Sequence, residues 1–194
     1  MTKRKGPLPS PDTFPDLLLT LVALSGELPS ALVSRLPGSD SYKAYAVKIL
    51  KRERLLRTYY HDGLRGLRLT SIAKNLLTAR QPDRYLPLFT GDAATNTPKY
   101  SVPHRLRLHR MAEVLVTAYN AGLLTFPWEK PAAFQAEPDD ASLYVGPAYY
   151  SSREVKEIGA QATMIRGSRS TGILVCDSGI YAVYNTADAR MKWE

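Results

Sequence analysis

Hydrophobic positions along this chain change spacing several times, and each change marks an element. Residues 14–24, FPDLLLTLVAL, are apolar almost throughout, with Pro15 and Asp16 in the first turn, and predict a helix that SGE ends. A second short helix, SALVSRL (30–36), lies between Pro29 and Pro37-Gly38. From residue 40 to about 54 a helical period returns, with Ser39 or Asp40 placed to accept from the free N–H groups of its first turn. Ala46, Val47 and Leu50 share one side, and Leu55 and Leu56 carry that side into the core. The period then drops to two. RTYYH (57–61) and GLRLT (66–70) predict two strands, with Leu67 and Leu69 on one face and Arg68 on the other. His61-Asp62-Gly63 and Gly66 supply turn chemistry and predict a loop longer than two residues. Ser71 starts a fourth helix, SIAKNLLTAR, which Gln81-Pro82 ends.

The second half is more broken. Residues 81–102 read as a Pro-, Thr- and Asn-rich connector with one helical turn at YLPLF (85–89). A long helix follows from Pro103 to Leu124, with Leu108, Met111, Leu115, Ala118 and Gly122 as its stripe. Residues 127–142 form a second, acidic connector. LYVGPAYY (143–150) reads as extended, and Ser151-Ser152-Arg153-Glu154 as a helix start. GILVC (172–176) and IYAVYNT (180–186), joined by Asp177-Ser178-Gly179, predict a hairpin. There is no internal repeat. The expected fold class is α+β: a flexible basic arm (1–13), a helical domain with a hairpin (14–80), the connector (81–102), and a long helix plus a small mixed α/β region (103–194).

Charge sharpens this picture. Residues 1–110 hold 19 Lys and Arg against 8 Asp and Glu, whereas residues 111–194 hold 7 against 10. An anionic partner is therefore expected at the first half. A single cysteine, Cys176, rules out an intrachain disulfide and a Cys-rich zinc site, and suits a reducing, cytoplasmic setting. Lys3-Arg4-Lys5 ahead of LLLTLVAL (17–24) has the outline of a leader peptide. Four prolines and two aspartates separate the charges from the apolar run, however, and the run is too short to span a bilayer. No membrane association is expected.

Three helices, a hairpin and a return helix across 14–80 follow the order of a winged helix-turn-helix. In that arrangement the third helix enters the major groove and the hairpin reaches the flanking phosphates. The candidate DNA contacts are Ser41, Tyr42, Lys43, Tyr45, Lys48 and Arg52 on the helix, and Arg57, Arg65 and Arg68 on the wing. Residues 40–74 hold 9 basic against 3 acidic residues, which favours nucleic acid over a winged helix used only for protein contact. The LKRERLL step (50–56) and GLRLT (66–70) resemble winged-helix regulators of the multiple-antibiotic-resistance repressor type across 39–77. SVPHRLRLHRMAEVLVTA (101–118) with IRGSRSTGILVCDSGIYAVYNT (165–186) resembles the replication-relaxation proteins of plasmids and conjugative transposons. That resemblance implies a bacterial double-stranded DNA-binding protein acting in replication, transfer or transcriptional control of a mobile element. It also implies a homodimer or replication and transfer proteins as further partners, and a longer chain of which this is a shortened form.

Other chemistry is thinner. Pro138-Asp139 and Glu154-Val155-Lys156 match the spacing of a Mg²⁺-dependent nuclease, in which two carboxylates hold the metal and the lysine helps activate water. Glu154 equally fits the first turn of a helix. Ile165-Arg166-Gly167-Ser168-Arg169 suits either a phosphate contact or a turn before a strand. His104, Arg105, Arg107, His109 and Arg110 offer either a second phosphate patch or a solvated face. No Walker loop, G-x-G-x-x-G, HExxH or G-x-S-x-G occurs. The reading is thus a non-enzymatic DNA-binding protein without a cofactor, with the nuclease and a protein assembly module as rivals.

Overall fold

The computed structural model describes residues 8–90, 101–131, 146–158 and 170–185. The basic arm through residue 7, residues 91–100 of the connector, Asp139 and the 165–169 run lie outside them. Two compact units divide the chain, Met1–Val116 and Thr117–Glu194.

In the first unit, α1 (Phe14–Ser25) starts with a proline in its first turn and Asp16 near its N-terminus, where the helix dipole favours an acid. Leu18, Leu19, Leu21 and Val22 are fully buried. Gly26 takes φ +75°, a conformation that lacks a penalty only without a Cβ, and its N–H returns to Val22 O. A two-residue strand β1 (Leu28–Pro29) follows. SALVSR, predicted as a helix, is a 3-10 helix over Ser30–Arg35. Only seven residues lie between Pro29 and Pro37, a length at which the tighter winding is common.

Helix α2 (Asp40–Arg52) is capped by Ser39, whose hydroxyl accepts from Tyr42 N. It ends two residues earlier than its sequence period suggests. Arg54 turns to φ +59°, and Leu55 N bonds back to Leu50 O at 2.8 Å. Strands β2 (Leu56–His61) and β3 (Leu64–Leu69) then pair antiparallel from Leu56↔Leu69 to His61↔Leu64. The loop is therefore two residues, not longer. Asp62 and Gly63 both have positive φ, the mirror-image turn that matches the strands' twist. Gly66 belongs to the strand, not the turn. It pairs with Tyr59 on one side and with Pro29 of β1 on the other, giving sheet order β1-β3-β2.

Thr70 caps α3 (Ser71–Arg80) by accepting from Ala73 N, and its hydroxyl donates to Arg54 O at 2.5 Å. Within the expected connector, Pro82–Phe89 forms a full helix, α4. Its Tyr85 is buried, with its hydroxyl 2.9 Å from Thr20 Oγ1 of α1. Helix α5 covers Val102–Asn120. Its buried positions are Arg105, Leu108, Ala112, Leu115, Val116 and Ala118, so the stripe lies partly aside from the predicted one, and Gly122 sits in the exposed turn after the helix.

In the second unit, β4 (Ala148–Ser151), β5 (Ser170–Cys176) and β6 (Gly179–Tyr184) form an antiparallel sheet of that order. The β5–β6 hairpin is the predicted one. Between β4 and β5 in sequence, α6 (Ser152–Ile158) places Val155 on Ala148, Tyr150 and Ile173. Among the described residues the protein is thus mixed α+β, with seven helices counting the 3-10 and two three-stranded antiparallel sheets. No helix among them is long and apolar enough to cross a membrane.

Candidate nucleic-acid interface

Helix α2 separates its residues by period. Lys43, Ala46 and Leu50, at i, i+3 and i+7, are buried, while Ser41, Tyr42, Tyr45, Lys48 and Arg52 are exposed. Tyr45 is 61% exposed. Tyr42 flanks this face, its ring 5.8 Å from that of Phe14. Arg52 has its Nε 3.2 Å from Glu53 Oε1, an exposed pair of little strength.

Lys43 is not part of the open face. Its Nζ donates to Ser34 O at 2.6 Å and Leu36 O at 3.1 Å, and pairs with Asp40. It holds the carbonyls at the end of the 3-10 helix. The signal was in the sequence: Lys43 shares a helical phase with Ala46 and Leu50.

The hairpin has two faces. One carries Leu56, Leu69, Thr58 and Leu67, and ends in the cross-strand pair Tyr60↔Arg65. Both members of that pair are exposed, Tyr60 at 69%. The other carries Arg57↔Arg68 and Tyr59↔Gly66. Arg57 is exposed but Arg68 is buried at 6%, so the expected wing contact from Arg68 is withdrawn. Alternation put Arg68 off the Leu67–Leu69 face correctly, but the face it joins is covered too.

What covers it is a buried ionic cluster around Glu27. The Glu27 carboxylate is fully buried. Arg68 donates to Oε2 from Nε at 2.8 Å and Nη2 at 2.6 Å. Arg105 of α5, also fully buried, donates from Nη2 to Oε1 at 2.6 Å and from Nε to both oxygens at 3.1–3.2 Å. His109 Nε2 lies 2.8 Å from Oε1. Both guanidinium groups stack on the Tyr59 ring, at 4.1 and 4.6 Å. Burial alone would raise the Glu27 pKa. The bonds to His109, Arg105 and Arg68 outweigh it and hold the carboxyl at about 2. Arg105 and His109 are therefore inward groups, not members of a second phosphate patch; Arg107 remains exposed.

Two half-buried lysines that sequence reasoning missed lie near the exposed arginines. Lys51 is held below its ordinary pKa by burial and by the charge of Arg65. Lys74 of α3 is lowered by burial and by Arg57. Lys51 stands one turn from Lys48, which a stricter reading of the period would have found. Among the described residues, Lys48, Lys51, Arg57 and Arg65 have no ion-pair partner, whereas Arg35, Lys43, Arg52, Arg68, Arg80 and Arg105 all pair with an acid.

Of the residues in the nuclease pattern, Asp139 lies outside the described residues and Glu154 is engaged by its own helix and by Lys130. Glu154 lies in the first turn of a helix, where it accepts from Ser151 N at 2.8 Å while Ser151 Oγ accepts from Glu154 N at 3.3 Å. Its other oxygen takes the ammonium of the buried Lys130, which also donates to Tyr149 O and lies over the Tyr150 ring. Burial lowers the Lys130 pKa despite Glu154. Among the described residues no cluster of three or more His, Cys, Asp or Glu side chains is arranged to hold a metal ion. Cys176 is partly buried, its Sγ 3.2 Å from Ser178 Oγ. Comparison with family models, with curated proteins and with solved structures gave no match.

Proposed function

We propose that the first unit is a winged helix that binds double-stranded DNA, with α2 in the major groove and the β2–β3 hairpin as the wing. The element order supports it: helix, short strand, 3-10 helix, helix, hairpin, with the short strand paired to the hairpin. The observation that carries it is the set of unpaired cations. Lys48, Lys51, Arg57 and Arg65 have no ion-pair partner among the described residues, and Lys51 and Arg65 lie close enough to repel. A row of phosphates relieves that repulsion and releases counterions as it does so. Tyr45 and Tyr60 stand exposed beside them and suit phosphate or sugar contact.

The narrower reading, replication or transfer control on a bacterial mobile element, rests on the sequence resemblance alone. A protein of that kind works in the cytoplasm and meets a second copy of itself or other replication proteins. The test is binding to random duplexes against salt concentration. The wild type should show a steep slope, and Lys48→Ala with Arg52→Ala should reduce that slope by about 2 without lowering thermal stability. Unchanged affinity in the double variant removes α2 from the interface.

A further inference from the structure

The tip of a two-stranded hairpin is ordinarily its loosest part, because a lone hairpin is marginally stable in water. Here the two carbonyls that bracket the Asp62-Gly63 turn are held from outside. Arg105 donates from Nη1 to His61 O at 2.7 Å and from Nη2 to Leu64 O at 3.0 Å. The same guanidinium grips Glu27 through Nε and Nη2 and stacks on Tyr59. One planar group thus joins the α1–β1 connection, the β2 ring and the hairpin tip. It does so from α5, about forty residues further along the chain. A guanidinium can serve two carbonyls and both oxygens of a carboxylate while lying flat on a ring, because its five donors share one plane; an ammonium has three donors and no flat face.

We propose that Arg105 is a positioning residue for the wing: it never meets DNA, but it fixes the hairpin tip so that Tyr60 and Arg65 face the phosphates in one stance. This rests on the DNA-binding reading of the same hairpin. Arg65 lies directly after Leu64, whose carbonyl Arg105 holds. The phosphate contact of Arg65 is then made without first ordering the wing, a cost that flexible contacts bear on binding.

Two measurements on the full chain test it. The first is amide hydrogen exchange at His61 and Leu64, which pair across the turn. In the wild type these amides should exchange only through global unfolding, and in Arg105→Lys about tenfold faster or more. The second is a double-mutant cycle in DNA binding. Arg105→Lys and Arg65→Ala should each lower the salt slope by about 1, and the double variant should lose no more than either alone. A purely structural role gives losses that add. Additive losses, or wild-type tip amides that exchange at loop rates, overturn the proposal; the latter needs no variant to fold. A wild type that binds no duplex at all sinks the DNA reading instead, and the exchange data still judge the clamp.

Discussion

The two faces of the β2–β3 hairpin carry the same kinds of side chain and put them to opposite uses. On one face Tyr60 and Arg65 pair across the strands and stand in solvent. On the other, Tyr59 and Arg68 lie under Glu27 and Arg105, the arginine almost wholly buried. The difference is not in the strand, since both arginines belong to β3, three residues apart. It lies in what is brought over each face. Arginine tolerates burial because its charge is delocalised and weakly hydrated, provided an acid and stacking partners meet it. Glu27 is that acid for two arginines at once. The lesson is that a basic hairpin is not uniformly an anion-binding surface: its cations divide into those the fold consumes and those it leaves for a partner.

The strongest way to break this division is to remove the acid. Glu27→Gln keeps the shape and deletes the charge, leaving Arg68 and Arg105 buried without an anion. The expected cost is about 3–5 kcal/mol of stability, read from denaturant unfolding. Acid should do the same to the wild type. The Glu27 carboxyl is lowered from 4.5 to about 2 in the folded protein. Its contribution is then fully present above pH 4.5 and is lost as pH falls from there toward 2. The Gln variant should lack that part of the acid profile. If wild type and Gln variant lose stability in parallel over this range, the cluster is not what holds the covered face.

A smaller effect is expected at Gly66. Its φ is not one that favours glycine, so the constraint is space alone. A Cβ there would lie 2.2 Å from Glu27 Oε1 and 2.5 Å from its Cγ. Because that side chain is buried and held by three partners, Gly66→Ala should cost about 1–3 kcal/mol. In a Glu27→Ala background the same change should cost much less, because the group it strikes is gone. Equal costs in both backgrounds would mean the clash is relieved elsewhere.

How far the sequence could be read follows the same boundary between local and distant causes. The ends of α1 and α3, the Ser39 cap and the β5–β6 hairpin were all legible, since proline, cap residues and period act over a few positions. So was the exposed face of α2, apart from Lys43. The DNA-contact assignment of Arg68 was not recoverable, because its partner Glu27 is 41 residues away in the sequence. Glu27 itself reads locally as part of a helix stop. Arg105 and His109 sit amid other basic residues on α5, and nothing nearby marks them as inward-facing. Helix α4 was read as a single turn because Pro87 and the surrounding polar residues read as connector, whereas packing of Tyr85 against α1 supports the full eight residues.

The open face can be sharpened with a change that hardly touches the fold. Lys51 and Arg65 repel one another, and no acid pairs with either among the described residues. On the DNA-binding proposal, removing one of them takes away a phosphate contact; it also takes away a repulsion. Lys51→Ala should therefore leave stability within about 0.5 kcal/mol of wild type, or raise it slightly at low salt. The same variant should lower the salt slope of duplex binding by about 1. The two readouts move apart only if Lys51 is a cation kept for a partner. A clear fall in thermal stability would place Lys51 with Lys43, among the cations the fold consumes, and would narrow the binding face to Lys48, Arg52, Arg57 and Arg65.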